Sequence, residues 1–176
     1  MTLALALWEF WTYSFLGYLL EKGFAAATHA RQQTRKGFLL LPMCLVYGMA
    51  VTAVLALPPV LTDSFRGRFF WGGLTATAVE YVVHLLYDRL LHVRFWDYSG
   101  LPGNLRGRVC VPFSAVWGLL LAAVVPALHR GLLPLLSAIP AGWTYAMLLL
   151  FTADAVASFR VLQVTGDPEA LSLRTG

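Results

Sequence analysis

Most of the residues able to do chemistry lie in one loop and at two points inside apolar segments. The loop is Phe95-Trp96-Asp97-Tyr98-Ser99-Gly100-Leu101-Pro102-Gly103-Asn104-Leu105-Arg106-Gly107-Arg108-Val109-Cys110, the densest polar stretch of the chain. Arg106 and Arg108 flank Gly107 just ahead of an apolar segment. The N–H groups and dipole of a helix starting there would favour an anion, such as the phosphate of a lipid headgroup. The competing reading is that Asp97 and Asn104 tie the loop down, pairing Arg108 and capping the helix. Trp96 and Tyr98 fit either a binding surface or an interfacial aromatic belt.

Glu21 and Glu80 each interrupt an apolar run. A charged side chain at mid-membrane costs about 2.5–3.5 kcal/mol on insertion scales, so each must be protonated, paired or turned to a cavity. Either they form a proton, cation or headgroup site, or they are structural, Glu21 being satisfied by Lys22 or a loop arginine. Glu80, His84 and Asp88 are spaced i, i+4, i+8 and stack on one helix face. Such a face could relay protons or hold a metal. No second His or Cys stands at suitable spacing, so a polar stripe leading to the cytoplasm is the expected reading. Candidate guest-binding residues are therefore Glu21, Glu80, His84, Asp97, Tyr98, Asn104, Arg106 and Arg108.

These residues need a frame, and composition says what solvent it faces. The 176-residue chain is 59% hydrophobic and only 12% charged, with a mean hydropathy of +0.68. That much apolar side chain cannot be hidden inside a soluble domain of this size, so an all-α integral membrane protein is expected. A bilayer core of about 30 Å needs about 20 helical residues. Five segments qualify: roughly 3–30, 38–61, 69–91, 110–128 and 136–159. They form one transmembrane domain over 1–160, followed by a polar cytoplasmic tail over 161–176. The N-terminus lacks the basic region of a cleavable signal and carries Glu9.

Basic residues orient the segments. One side collects Arg31, Arg35, Lys36, Arg89, Arg94, Arg106, Arg108, Arg160 and Arg174; the other has only Arg66, Arg68 and Arg130. The first side is taken as cytoplasmic, with the N-terminus outside the cell membrane and the C-terminus inside. The net charge of +4 follows from these loops, and no basic face or stacking platform points to nucleic acid. Cys44 and Cys110 fall near that reducing side, so a disulfide is not expected. Asp154, one turn before Ser158 and Arg160, reads as an interfacial ion pair. Gly17, Gly48, Gly72, Gly73 and Gly118 read as close helix-packing positions.

A repeat is visible. Gly37-Phe38-Leu39-Leu40-Leu41-Pro42-Met43-Cys44-Leu45-Val46-Tyr47-Gly48 aligns with Gly107-Arg108-Val109-Cys110-Val111-Pro112-Phe113-Ser114-Ala115-Val116-Trp117-Gly118. Gly, Pro, Val and Gly coincide, Cys44 and Tyr47 face Ser114 and Trp117, and a base (Lys36, Arg106) precedes each window. A glutamate-bearing segment precedes each copy. The first four segments thus form two helix-hairpin repeats, about 4–61 and 69–128, running the same way through the membrane as in some transporters.

At these residues a family comes into view. Gly17-Tyr18-Leu19-Leu20-Glu21, Lys36-Gly37-Phe38-Leu39, Pro42-Met43-Cys44-Leu45-Val46-Tyr47-Gly48, Glu80-Tyr81, Trp96-Asp97-Tyr98-Ser99 and Asn104-Leu105-Arg106-Gly107-Arg108-Val109-Cys110 resemble the type IV ABC-transporter permease family (CmpB-type). A small vertebrate family of multi-pass transmembrane proteins shares the Gly-Tyr-x-x-Glu and Trp-Asp-Tyr-Ser segments. The resemblance covers about Trp11 to Gly118. The family tends to have Gly-Pro-x-Cys-Pro-x-Tyr-Gly in the first repeat; Leu41 and Leu45 stand for that Gly and second Pro here, so a less kinked first turn is expected. The resemblance implies a permease-type membrane protein.

No Gly-x-x-x-x-Gly-Lys-Ser/Thr run is present, so any ATP must be bound by a separate ATPase subunit. No Gly-x-Ser-x-Gly setting supports serine hydrolysis. No cofactor is expected. The expected partners are membrane lipid, that ATPase subunit and further copies of the chain. The competing classes are an interfacial enzyme acting on a lipid, with Glu80 or Asp97 as base and Arg108 holding phosphate, and a non-catalytic membrane scaffold.

Overall fold

In the computed structural model, residues 2–28 and 37–171 are described. The basic turn with Arg31, Arg35 and Lys36, and the end of the tail with Arg174, lie outside them. The described residues form helices joined by irregular segments, with one isolated bridge between Leu105 and Val109 and no β-strand. Four helices are long and apolar enough to cross a membrane: α1 (Leu3–Ala27), α3 (Phe65–Leu91), α4 (Val111–Ser137) and α5 (Ala141–Thr165). Between the first two lies a shorter apolar helix, α2 (Leu45–Leu55).

The expected second segment, 38–61, is therefore not one continuous helix. Pro42 restricts Leu41 and lacks an N–H, and Pro58-Pro59 close the other end. The remaining 11 residues span about 16 Å of helix, short of a bilayer core. Gly37–Cys44 stays non-helical, although Leu41 and Leu45 replace the breakers that the family carries. Non-helical backbone at membrane depth must find partners within the protein, and here it does. The Leu40 and Leu41 N–H groups donate to the Asp154 carboxylate at 3.1 and 3.0 Å, and Ser158 Oγ accepts from Leu40 at 3.1 Å. The Cys44 N–H donates to the Ser14 carbonyl at 2.8 Å. Asp154 is thus a clamp on the 37–44 turn, from α5. It replaces the interfacial ion pair expected from sequence, because two backbone donors reach the carboxylate first.

The fourth segment runs on to Ser137 rather than ending near 128, and the fifth starts at Ala141 rather than 136. Pro126 does not stop α4. It coincides with a widened π-turn at Leu120–Val124, which absorbs the missing hydrogen bond and the ring's clash with the preceding turn. α3 has similar wide turns at Arg68–Gly72 and Tyr87–Leu91, and ends where His92 turns left-handed at φ 54°.

Small residues set the closest crossings, as their sequence positions suggested. A Cβ on Gly48 would collide with Ser14 Oγ and the Phe10 carbonyl of α1. A Cβ on Gly118 would lie 2.7 Å from the Phe69 carbonyl, and one on Gly73 3.1 Å from Gly118 Cα. α1 therefore meets α2, and α3 meets α4, nearly backbone to backbone. The core between the two pairs holds Tyr13, Ala50, Val51, Val54, Ala76, Trp117 and Leu121.

Candidate functional site

Helix α3 carries the polar stripe, and the loop from His92 to Cys110 lies down along it. Tyr98 Oη donates to Glu80 Oε1 at 3.0 Å. One turn on, His84 Nε2 meets the Trp96 carbonyl at 3.0 Å, so this nitrogen carries the proton. At the end of the stripe Asp88 takes two arginines: Arg108 Nη2 at 2.9 Å and Arg94 Nε at 3.2 Å. The stripe is a docking line for the loop.

The loop is also tied to itself. The Asp97 carboxylate accepts the Ser99 N–H at 2.9 Å, which, with the Ser99 hydroxyl, holds that carboxyl below the usual carboxylate range. The Asn104 amide donates to the Ser99 and Leu101 carbonyls at 3.0 and 2.9 Å, and its oxygen accepts from the Gly107 N–H at 3.2 Å. Gly107 sits at φ 70°, and a Cβ there would come within 2.5 Å of Asp97 Oδ1. Trp96 Nε1 donates to the Arg108 carbonyl at 2.9 Å. Asp97 and Asn104 tie the loop down, as one sequence reading held, but they do not pair Arg108. The guanidinium of Arg108, a residue only 8% exposed, goes to Asp88 and to Tyr81 Oη at 3.2 Å. Its bond to Asp88 keeps it protonated beyond its already high pKa. Nor is the helix capped by a side chain; Cys110 is the N-cap residue and makes no such bond.

Where the loop, α1, α2, α3 and α4 meet, a cavity of ≈ 200 Å³ opens. Glu21 and Glu80 both line it, with Tyr47, Tyr98, Trp96, Trp117, Phe95 and Phe113. Each glutamate accepts from the aromatic residue that the sequence repeat pairs with it. Tyr47 Oη donates to Glu21 Oε1 at 2.8 Å, and Trp117 Nε1 donates to Glu80 Oε2 at 3.2 Å. The two aromatic rings touch, 4.7 Å between centroids. Lys22 does not pair Glu21; its ammonium lies 5.7 Å from the Tyr18 ring centre.

Of the eight residues singled out from sequence, then, Glu21, Glu80 and Tyr98 share the cavity. His84, Asp97, Asn104 and Arg108 hold the loop in place beside it, and Arg106 is exposed in a left-handed conformation at φ 56°. Sequence reasoning passed over Tyr47 and Trp117 as site residues. The signal was there, since both stand at one repeat position. It also passed over Glu9, which is buried in α1 with His129 Nε2 3.8 Å from Oε1, away from the cavity.

The fold and site define a class: an all-helical protein with four helices long and apolar enough to cross a membrane and a two-carboxylate cavity between its helices. The family model described as "Putative ABC-transporter type IV" matches residues 8–159, and the chain belongs to that family. The match takes in both glutamates, the loop and α5 as far as the Asp154 clamp. No curated protein and no solved structure matches the chain.

Proposed function

We propose that the protein is a permease-type subunit of the cell membrane whose guest binds in the cavity between Glu21 and Glu80. The observation that carries this reading is the pairing of each carboxylate with the aromatic residue of its own repeat, both facing one cavity. Such pairing is what two parallel copies of a helix hairpin would produce on a shared site. In this reading α2, with its satisfied non-helical entry at 37–44, makes a fifth crossing. The N-terminus then lies outside and the C-terminus in the cytoplasm. Glu21, Glu80 and Tyr98 touch the guest. His84, Asp97, Asn104 and Arg108 position the loop, and Arg106 lies on the cytoplasmic surface. Energy would come from a separate ATPase subunit, and self-association with further copies is the expected assembly.

The lipid-enzyme reading loses its phosphate holder, because Arg108 is committed to Asp88 and Tyr81. Native mass spectrometry in gentle detergent tests the guest site. The comparison is wild type beside Glu80→Gln and Val116→Trp, the latter placing bulk at a half-exposed cavity wall. A small guest should co-purify with wild type and be absent from both variants. If all three carry the same non-specific lipids, the guest-site reading fails.

A further inference from the structure

We infer that the cavity recognises a small organic ammonium group, not the phosphate that the loop arginines suggested. This inference rests on reading the cavity as the guest site. The first argument is charge. Two carboxylates line the cavity, and among the described residues no Lys, Arg or His does. Arg108 is bound to Asp88, and Lys22 lies over the Tyr18 ring. Among the described residues, a phosphate there would face two acids with no cation between them. An ionised carboxylate held in an apolar wall is stabilised by a counter-cation.

The second argument is the wall itself. Beyond the acids about half of it is aromatic, and Tyr47, Trp117, Tyr98 and Phe113 stand there as two ring pairs, with centroids 4.7 and 4.8 Å apart. Ring faces attract ammonium groups, and aromatic cages closed by a carboxylate suit substituted ammonium ions in particular. A bare metal ion would need several oxygen or nitrogen ligands around it. Among the described residues, no group of three or more His, Cys, Asp or Glu is gathered. Donor geometry adds a third point. Each Glu80 oxygen takes one neutral donor, from Tyr98 and Trp117, and Glu21 takes only Tyr47 among the described residues. These bonds orient both carboxylates while leaving lone pairs for an N–H or a close cation.

The ammonium group could belong to a free amine or to an ethanolamine or choline headgroup, since Leu20, Phe24 and Val116 on the cavity wall are also exposed on the apolar outside of the protein. Binding of radiolabelled tetramethylammonium to the full-length chain in detergent tests the class, with choline, ethanolamine and inorganic phosphate as competitors. Saturable binding is expected, competed by choline and ethanolamine but not by phosphate. Glu80→Gln and Glu21→Gln should each weaken it about tenfold or more, while Glu9→Gln leaves it unchanged. Measuring in nanodiscs of phosphatidylcholine and of phosphatidylglycerol separates the sources. A site filled by lipid headgroups will bind less tetramethylammonium in phosphatidylcholine, whereas a site for free amines will bind equally in both. If labelled phosphate saturates the site and tetramethylammonium does not, the ammonium class is overturned and the guest cavity stands. If neither binds, both fall.

Discussion

The two glutamates line one cavity and live in different surroundings. Glu21 is half-buried, takes one hydrogen bond from Tyr47, and has for a neighbour the short turn 37–44. Glu80 is 4% exposed and takes two bonds, one from Trp117 and one from Tyr98 on the long loop. The framework around them is alike. Gly48 and Gly118 each meet a phenylalanine carbonyl, of Phe10 and Phe69, and these lie eleven residues before Glu21 and Glu80 respectively. What differs is the connection. The 37–44 turn is fixed from outside by Asp154, and its Phe38 ring stacks on Tyr87. The long loop fixes itself and lends Tyr98 to the acid. Tyr98 of the 92–110 loop thus gives the second carboxylate a further bond, and that carboxylate is the buried one.

The likeness of the framework is the easiest part to break. Gly48→Val and Gly118→Val should each damage the protein most, because overpacking at a backbone-to-backbone crossing costs about 1–3 kcal/mol and sometimes more. Gly142→Val, with nothing within 4 Å of its Cβ position, should do nothing. The survival of monodisperse protein after heating in detergent reads all three. Unequal losses at 48 and 118 would argue against matched halves.

The difference between the acids is sharpened by their tyrosines. Tyr98→Phe strips a buried acceptor of a donor and should cost about 1–3 kcal/mol. Tyr47→Phe leaves Glu21 open to the cavity and should cost less, about 1 kcal/mol or under. The same heating assay ranks them, and the reverse order would contradict the account. A more local effect is expected at the arginines. Arg108→Ala should free the loop for proteolysis, because among the described residues Asp88 then keeps only the exposed Arg94; Arg106→Gly should leave it as resistant as wild type, since glycine suits φ 56°. The smallest effect concerns acid. The folded-state pKa of Asp97 is depressed, so its contribution is present above the unfolded carboxylate value, about 3.9, and is lost as pH falls through the lower folded value. Proteolysis by an acid-active protease should show the loop loosening below about pH 4 in wild type, and Asp97→Asn should be loose already at neutral pH.

Much of this organisation could be read from the chain. Apolar content announced the membrane-crossing helices, and the i, i+4, i+8 spacing of Glu80, His84 and Asp88 announced one face. The repeat put Tyr47 and Trp117 in register before any contact was known. What sequence could not supply was partner choice. Arg108 had Asp97 nearby in sequence and found Asp88 on α3, twenty residues away, because the loop doubles back along the helix. Asp154 looked like half of an ion pair with Arg160, yet the bare N–H groups beside Pro42 reached it first. Segment ends failed for a related reason: Pro126 was absorbed by a π-turn, while Pro42 was not absorbed at all.

The central claim is that Glu21 and Glu80 serve one guest. A double-mutant cycle tests it most directly, with tetramethylammonium affinity measured for wild type, Glu21→Gln, Glu80→Gln and the double variant. If both carboxylates face the same cation, the two losses will be non-additive by about 0.5 kcal/mol or more. Strictly additive losses, or loss in one single variant only, would mean that the two halves do not share a site.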